Sequence, residues 1–568
     1  MTHIPTITDL STAFCDLEHQ LSAEIGFRLF SVLLVDLPDM VRIHSSNLEA
    51  YPLGERKQMR PTPWGTHVIK RGEPWLGQTL EELRNAFSDY DLIADLGCGC
   101  CLNIPVRDHG QTIGTLNLLD AQGRYGTDHL HRAIKFGDPC VPLLKTAGKH
   151  RQIIRRHFMN NILIKNARIV DGTTDRAKDA VDIMLADGKV QDIGPSLTTS
   201  GDVTVIDARD RFVMPGLIDA HVHVIAQNAN LKENAAVPDA MITVAAMNLM
   251  GAMLTRGFTT VRDLGGATGP LRMAMEEAPI ALPRLNICGK ALSQTGGHTD
   301  QRGPFDSAPV PDWPVPLGAL GIICDGEPEL RKAAREQFRT GADFLKLMAN
   351  GGVSSPSDPI HFLGFSRAEL IAAVEEAQNT GTYVSAHLYT DEAILRAVEC
   401  GVHSLEHCNL ITAETARLAA EKGCIACPTL ITYDKLKSEG ASMGLPAASI
   451  VKVDDVRLRG MESLSIMQDA GLQMAYGSDL LGGMQPHQSG EFELRGRVLS
   501  SQTVIQSATL IAAKLLRMEG QIGTLMPGAF ADTIILDRDP LMDLSVLSGQ
   551  GESINTIVKG GEIIKHSP

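Results

Sequence analysis

Two histidines that lie two residues apart are the first residues in this sequence whose spacing could do chemistry. They belong to the stretch Gly216-Leu-Ile-Asp-Ala-His-Val-His223, an apolar run that follows Pro215 and predicts a short buried strand. Because side chains alternate along a strand, His221 and His223 are predicted to project to the same side. Two imidazoles on one strand supply half of a zinc-type site, although two solvent-facing or buried histidines would explain the same pair.

Further candidate ligands follow at the ends of predicted strands later in the chain. They are a lysine, two histidines and an aspartate: Lys346, His387, His407 and Asp479. Each has an ordinary explanation, since a lone histidine is often a core residue, an aspartate can begin a helix, and a lysine can pair with a carboxylate. Their joint placement at successive strand ends favours a metal site, because histidine and carboxylate are usual zinc ligands.

The elements that would position these residues alternate between strand and helix. Strands are predicted at residues 217–223, 259–262, 284–288, 344–348, 383–388, 404–407, 424–428 and 473–478, with helices such as 367–379, 412–422 and 451–469 between them. This alternation predicts an α/β fold with a parallel (β/α)8 barrel over residues 213–520. In such a barrel the carboxyl ends of the strands meet at one mouth, where the chemistry takes place.

Short strands joined by turns flank the predicted barrel on both sides. Residues 156–212 contain strands separated by the turns Asp171-Gly172 and Asp187-Gly188, and residues 521–568 show the same texture around Gly560-Gly561. We expect these two segments to form one small split β-sandwich that the barrel interrupts.

Residues 1–155 predict a separate α/β domain. Its strand Cys101-Leu-Asn-Ile-Pro-Val106, a polar turn and the apolar run 112–119 indicate a β-hairpin. The hairpin and its flanks resemble a GAF domain, a small module that often binds a ligand or dimerises. The resemblance implies that this domain could bind a ligand, which the sequence does not identify. We expect the neighbouring Cys98, Cys100 and Cys101 to pack as small hydrophobic residues, with redox or metal chemistry as the alternative.

Length, charge and cysteine content limit the functional classes. The chain has 568 residues, too many for one hydrophobic core, so several domains are expected. A formal net charge of −15 argues against nucleic acid or an anionic membrane as a partner. We see neither a secretory signal nor an apolar run of membrane-spanning length. Eleven scattered cysteines are consistent with reduced thiols, so we expect a cytoplasmic protein. We also expect a homo-oligomer.

Residues 160–568 resemble the amidohydrolase superfamily. The motifs that carry this resemblance are Pro215-Gly-Leu-Ile-Asp-Ala-His-Val-His223, Leu345-Lys-Leu-Met-Ala-Asn-Gly-Gly352, Ser385-Ala-His387 and Gly477-Ser-Asp479. Within the superfamily, Thr295-Gly-Gly-His298 and His387-Leu-Tyr-Thr390 are similar to the branch of prolidase-type dipeptidases and ochratoxinase-like amidases.

This resemblance implies a centre of two divalent metal ions, usually zinc, although the same ligands accept manganese or cobalt. The more buried ion would be held by His221, His223 and Asp479. The more exposed ion would be held by His387 and His407. Lys346 would bridge both ions after reacting with CO2, because the resulting carbamate (N6-carboxylysine) is an anion with two oxygens, whereas an ammonium offers no lone pair.

The reaction implied is hydrolysis of an amide by a metal-activated hydroxide. Asp479 would take the proton of the hydroxide and deliver it to the leaving nitrogen. His298 would donate to the developing oxyanion, unless it is an ordinary loop histidine beside two glycines. Tyr389 would contact a carboxylate of the substrate.

The leading interpretation is a metal-dependent enzyme that cleaves a carbon–nitrogen bond in a small amide, such as a dipeptide with C-terminal proline or an N-acyl amino acid. One alternative is hydrolysis of a urea or carbamate by the same centre. Another is an amidohydrolase whose activity the N-terminal domain controls. A barrel that serves only as a scaffold beneath an N-terminal sensor is disfavoured by the full set of candidate ligands.

Two further segments carry expectations of their own. The proline-rich residues 303–316 predict a lid or substrate-shaping loop, or else a surface loop packed on a neighbouring subunit. The segment Cys424-Ile-Ala-Cys427 has a spacing known from metal and redox sites, but it falls on an apolar strand, so core packing is expected.

Overall fold

A computed structural model describes the following residues of the chain: 7–36, 39–48, 50–51, 53, 56–58, 62–149, 161–199, 203–278, 280–303, 305–310, 314–355 and 358–567. The chain divides into two units, Met1–Met159 and Asn160–Pro568. The domain boundary predicted between residues 155 and 156 lies outside the described residues.

Within its described residues, the first unit is built on an antiparallel sheet. The strands are β1 Leu29–Asp36, β2 Asp39–Ser45, β3 Arg56–Gln58, β4 Trp75–Gly77, β5 Cys100–Asp108 and β6 Gln111–Asp120, in the spatial order β3-β2-β1-β6-β5-β4. Strands β5 and β6 form the predicted hairpin, which closes between Asp108 and Gln111. The helices are Ile7–Glu24, Leu80–Ala86, Tyr90–Asp95, Thr127–Ile134 and Val141–Lys149, with short helical turns at Gly65–Lys70 and Asp138–Cys140.

Neighbouring residues of β5 enter different hydrophobic layers, because side chains alternate across a strand. Cys100 packs in the layer that contains Phe14, whereas Cys98 and Cys101 pack in the layer that contains Trp64. All three cysteines are buried, and burial raises the pKa of the Cys98 thiol to about 11. The buried, protonated thiols agree with the packing role expected for this cluster.

One mixed sheet joins the beginning and the end of the second unit. Its strands are β7 Asn161–Ile169, β8 Ala180–Ala186, β9 Lys189–Gly194, β10 Val203–Asp207, β11 Phe212–Pro215, β22 Thr533–Leu536, β23 Ile554–Lys559 and β24 Glu562–His566. They lie in the order β24-β23-β22-β11-β7-β8-β9, with β10 beside β7. β11 pairs with β22 through Pro215, so residues 213–215, which the sequence analysis assigned to the barrel, lie in this sheet.

Parallel strands alternate with helices between these segments, which makes the unit an α/β fold. The strands are β12 Leu217–Val222, β13 Phe258–Asp263, β14 Arg284–Ile287, β15 Ala291–Ser293, β16 Gly321–Ile323, β17 Leu345–Met348, β18 Val384–Thr390, β19 Ser404–Leu410, β20 Ile425–Cys427 and β21 Gln473–Met474. They pair in two runs, β12-β13-β14 and β16-β15-β17-β18-β19-β20-β21. The N–H of Ala220 in β12 donates to the carbonyl of Tyr476, just after β21, at 2.8 Å, so the first strand of the series meets the chain that follows the last one.

The helices of the second unit follow the strands closely. They are Leu231–Ala235, Asp239–Thr255, Gly269–Glu276, Gly326–Arg339, Arg367–Asn379, Asp391–Glu399, Ala413–Glu421, Leu430–Ser438, Ala447–Asp469, Gly490–Gly496, Ser501–Ser507 and Leu510–Leu515. The 3-10 turns are Gly482–His487 and Leu544–Leu547. In the part of the chain that the structure describes, no helix combines the length and apolar character needed to cross a bilayer.

The third predicted strand, residues 284–288, corresponds to β14. The structure adds two short strands that the sequence analysis did not predict, β15 and β16, which pair with each other. The break between β14 and β15 occurs where Gly289 takes a φ of +71°, a left-handed conformation that an extended strand cannot continue through.

Candidate active site

One cavity of the second unit is lined by all the residues that the sequence nominates for chemistry. These residues are His221, His223, His298, Lys346, His387, Tyr389, His407 and Asp479. They come from β12, β17, β18, β19 and the segments that follow β15 and β21. Apolar side chains complete the walls of the cavity: Leu231, Leu320, Met348, Val353, Leu436 and Leu481.

One ring nitrogen of each candidate histidine ligand contacts another candidate ligand. Nε2 of His221 and Nε2 of His223 lie 3.4 and 3.2 Å from Oδ1 of Asp479. Nδ1 of His387 lies 2.9 Å from Nε2 of His407. Ligand atoms of His221, His407 and Asp479 fall within 4.8 Å of one another, close enough to share a cation.

The other ring nitrogen of each histidine has an acceptor of its own, although Nδ1 of His407 also lies 3.9 Å from Oδ2 of Asp479. Nδ1 of His221 contacts Oε2 of Glu406 at 2.8 Å, and Nδ1 of His407 contacts Oγ1 of Thr429 at 2.8 Å. Backbone carbonyls serve the other two rings: Gly265 O faces Nδ1 of His223 at 3.3 Å, and Gly351 O faces Nε2 of His387 at 3.4 Å. Metal-bound histidines are held in this way, with one nitrogen on the ion and the other on an acceptor, so the donor set fits divalent ions.

Left-handed backbone conformations bring two of these groups into position. His407 and Cys408 have φ of +69° and +56°, and Asp479 has φ of +52°. This backbone conformation costs free energy for residues other than glycine, and residues that adopt it are often found at functional sites. At His407 it breaks the alternation of β19, which lets the adjacent Glu406 and His407 both contact groups of the candidate centre.

The charges of the centre favour metal-binding forms. Burial, reinforced by neighbouring cationic groups, holds the pKa of His387 well below its usual value, and burial does the same for His407. Burial also lowers the pKa of Lys346, which favours the neutral amine. Although burial opposes ionisation of Asp479, nearby histidines, first of all His221, hold its pKa well below the usual range. His221 is the exception, because the carboxylates beside it outweigh burial and raise its pKa.

Glu406 and Arg262 belong to the site, although the sequence analysis did not nominate them. Oε1 of Glu406 accepts from Arg262 at 2.8 Å, from Ser385 Oγ at 2.7 Å and from Ser404 Oγ at 2.5 Å. Both side chains of the Glu406–Arg262 pair are fully buried. A charged residue inside an apolar strand is unusual unless it is paired. Glu406 in Ser404-Leu-Glu-His407 and Arg262 in β13 both show this pattern, so the sequence could have identified both.

His298 stacks on a candidate metal ligand. Its ring lies 4.3 Å from the ring of His387, at an interplanar angle of 12°. Nδ1 of His298 lies 3.4 Å from Oδ2 of Asp358. The structure therefore brings His298 to the candidate centre, as the sequence predicts, and adds a buried carboxylate beside it.

Tyr389 lies beside two of the candidate metal ligands. Its ring is 4.7 Å from that of His387 and 5.1 Å from that of His407. Tyr433 donates its hydroxyl proton to the Tyr389 hydroxyl at 3.0 Å. The hydroxyl proton of Tyr389 is thereby left to donate to a ligand in the cavity that both tyrosines line.

Two other segments of the second unit were singled out by the sequence analysis. Lys290 is buried and donates to the carbonyls of Gly266, Pro316, Leu317 and Ala319, which anchors the end of the proline-rich segment. Residues 304 and 311–313 of that segment lie outside the described residues, and its role as a lid stays a prediction. Cys424 and Cys427 are buried, and burial raises the pKa of the Cys424 thiol to about 11, in line with core packing.

The sequence over residues 212–563 matches the profile of the amidohydrolase family. The chain belongs to the amidohydrolase family. Ochratoxinase of Aspergillus niger is 30% identical to it over 376 residues, which span 62% of this chain and 75% of that protein. The chain is accordingly an enzyme, a hydrolase that acts on carbon–nitrogen bonds.

Solved structures agree with this assignment. A crystal structure of an amidohydrolase is 46% identical, with a TM-score of 0.71, and covers 72% of this chain and 100% of that chain. A crystal structure of a prolidase complexed with N-methylphosphonate-L-proline is 40% identical, with a TM-score of 0.71 and the same coverage of both chains. The likeness thus extends over most of the length of this amidohydrolase.

Proposed function

We propose that this amidohydrolase is a binuclear metal-dependent enzyme that hydrolyses an amide bond of a small molecule. The observation that carries the proposal is the arrangement of the four histidine rings. Nε2 of His221 and Nε2 of His223 face Asp479, Nδ1 of His387 faces Nε2 of His407, and the other nitrogen of each ring contacts an acceptor. Core histidines that serve only packing have no need of such a shared orientation.

The proposed architecture is a (β/α)8 barrel for the parallel strands, with the mixed sheet as a split β-sandwich. The meeting of β12 with the chain after β21 supports closure of the barrel. For residues 1–155 we propose a GAF-like domain, on the grounds of its antiparallel sheet with helices. The cytoplasmic location, the homo-oligomer and a ligand of the N-terminal domain remain predictions.

The donor set suggests how two ions would be held. His221, His223 and Asp479 would hold one ion, and His387 and His407 the other. Lys346, which is buried in the same cavity, would bridge them as a carbamate. When bound, divalent ions supply Lewis acidity, which lowers the pKa of water and polarises an amide carbonyl.

The chain's own residues provide the remaining chemistry. Asp479 is held ionised by its histidine neighbours, so it can accept a proton and pass it to the leaving nitrogen. His298 would donate a hydrogen bond to the carbonyl oxygen as negative charge develops there. Tyr389, whose hydroxyl accepts from Tyr433, would donate to a carboxylate of the substrate.

The proposed substrate is a dipeptide with C-terminal proline or an N-acyl amino acid. Support comes from the prolidase crystallised with N-methylphosphonate-L-proline and from ochratoxinase. The apolar wall of the cavity, which includes Leu231, Leu320 and Val353, suits an uncharged side chain on the substrate.

The experiment that tests this function measures amine release from dipeptides, N-acyl amino acids and aryl amides by zinc-loaded protein, together with metal content. Lys346→Ala serves as the blank. Lys437→Ala is the matched control, because this half-exposed lysine pairs with Asp454 outside the cavity. Release by the wild type and the control, with none by Lys346→Ala, supports the proposal.

Two results would contradict it. If the protein binds two ions but releases amine from no member of the panel, and instead releases CO2 from ureas or carbamates, the amide substrate is wrong. If it binds no metal at all, the metal centre is wrong.

A further inference from the structure

We propose that Asp358 is the positioning residue of His298, and that Lys452 fixes the loop that carries Asp358. The inference rests on the proposed function, in which His298 donates to the substrate carbonyl. Asp358 follows β17, and Lys452 lies in helix Ala447–Asp469. Neither residue belongs to the amidohydrolase motifs of this sequence.

The first observation is an incomplete contact between two buried groups. Nδ1 of His298 lies 3.4 Å from Oδ2 of Asp358. Nδ1 of His298 and Oδ1 of Asp358 are both buried without a hydrogen-bond partner among the described residues. A buried polar atom without a partner is costly, so the two groups are poised to bond to each other. Catalytic hydrogen bonds are often long without substrate and tighten when it binds.

The second observation is that the loop after β17 leaves room for the imidazole ring. A Cβ added to Gly352 would lie 1.9 Å from Cε1 and 2.0 Å from Nδ1 of His298. The N–H of Gly352 donates to Oδ2 of Asp358 at 3.0 Å. The same residue therefore makes space for the ring and orients the carboxylate beside it.

The third observation is a lysine that holds this loop from outside. Nζ of Lys452 donates to the carbonyls of Gly352, Ser355 and Asp358 at 3.0, 3.1 and 3.0 Å. An ammonium has three protons, and each has an acceptor on this one loop. Lys452 thereby fixes the backbone on both sides of the His298 contact.

These contacts determine which nitrogen of His298 works in the cavity. With Nδ1–H facing Asp358, the Nε2 edge remains for the cavity that His298 lines, and donation from both edges requires a proton on each ring nitrogen, as in the imidazolium form. Stacking on His387 prevents the ring from tilting. Asp358 and Lys452 thus act through His298 and need not touch the substrate.

Steady-state kinetics on the best amide of the panel test the proposal. Asp358→Asn keeps the size of the side chain but removes the charge, and we expect kcat to fall about 100-fold, in the range of lost acid–base groups, with KM within about threefold. His298→Gln is expected to lose a similar factor, and the double variant to lose no more than His298→Gln, because both act through one ring. Lys452→Met should lower kcat by a smaller factor.

The matched control for the lysine is Lys437→Met. Lys437 pairs with Asp454, which lies on the same helix as Lys452. Among the described contacts, Lys437 touches no residue of the loop that carries Asp358. The kinetics of Lys437→Met should therefore equal those of the wild type. If Asp358→Asn retains the kcat of the wild type while His298→Gln does not, the positioning role is wrong. If Asp358→Asn fails to fold, Lys452→Met with unchanged kcat overturns the proposal.

A second readout does not depend on turnover. In protein with nitrogen-15-labelled histidine, the ring signals of His298, assigned by their loss in His298→Gln, should show a proton on each ring nitrogen, with the one on Nδ1 facing Asp358. Lys452→Met or Asp358→Asn should change this pattern. An unchanged pattern in both variants overturns the inference, whereas a wild type that hydrolyses no amide overturns the proposed function and leaves this spectral test to decide on Asp358.

Discussion

Nδ1 of His221 lies 2.8 Å from Oε2 of Glu406, and the other carboxylate oxygen of Glu406 lies 2.8 Å from the guanidinium of Arg262. These residues belong to β19, β12 and β13, so three parallel strands are tied together directly behind the candidate metal centre. Arg262 also donates to the carbonyl of Ala220 at 2.6 Å, which fixes the strand that bears the two leading histidines. The network therefore links these three strands to the orientation of His221.

Removing the charge of Glu406 should weaken metal binding. In Glu406→Gln, the Nδ1–H of His221 loses its anionic acceptor, and such outer contacts typically change metal affinity roughly 10–100-fold. Competition with a chromogenic chelator measures the affinity of the folded variant. Glu399→Gln is the control, because Glu399 pairs with Arg367 at the surface. Equal affinities of Glu406→Gln and wild type would contradict the role given to Glu406.

Arg262 is expected to matter more for stability than a surface arginine does. In Arg262→Met, Glu406 keeps its charge in a fully buried position without its partner, which typically costs about 3–5 kcal/mol. Arg367→Met removes an exposed ion pair and should leave the unfolding free energy within experimental error. Denaturant unfolding of both variants gives the comparison. A similar free energy of unfolding for the two would show that the buried pair is not needed.

The candidate ligands could be predicted from the sequence because they follow a local pattern. The residues that act through contacts between distant parts of the chain could not. His221, His223, Lys346, His387, His407 and Asp479 were nominated because chemically reactive residues at strand ends are a local pattern. Glu406 was not predicted as a site residue, because the left-handed conformation of His407 breaks the alternation of side chains that a regular strand would show. Asp358 and Lys452 are 94 residues apart, and only the folded chain brings them together. Likewise, β16 was missed because three residues carry too little periodicity to predict a strand.

Lys346 should react with CO2, whereas a second buried lysine should not. Burial lowers the pKa of Lys346 and favours the neutral amine, which is the nucleophilic form. Lys290 is also buried, with a pKa lowered to about 8, but its Nζ is engaged by four backbone carbonyls. With carbon-13-labelled bicarbonate and zinc, the wild type should give one carbamate signal that Lys346→Ala lacks. Persistence of the signal in Lys346→Ala would assign the carbamate to another amine.

Gly352 should tolerate no side chain. The Cβ of alanine at this position would overlap the ring of His298, so the ring must move away from its place beside His387. We expect Gly352→Ala to lose about 100-fold in kcat, as for loss of His298 itself, and to lose about 1–3 kcal/mol of stability through overpacking. Gly126→Ala is the control, because a Cβ there meets open space. Wild-type turnover in Gly352→Ala would place the working position of His298 elsewhere.

Asp479 should be required for turnover more than for metal binding. Its Oδ1 lies 3.4 and 3.2 Å from Nε2 of His221 and His223, so an asparagine oxygen could still face the same centre. An amide cannot accept and return a proton as a carboxylate does, and loss of such a group typically costs about 10²–10⁴-fold in rate. Asp479→Asn is thus expected to keep most of its metal, measured by elemental analysis, while kcat falls by that factor. Full activity would exclude the proton transfer by Asp479, whereas loss of both metal and activity would make Asp479 chiefly a ligand.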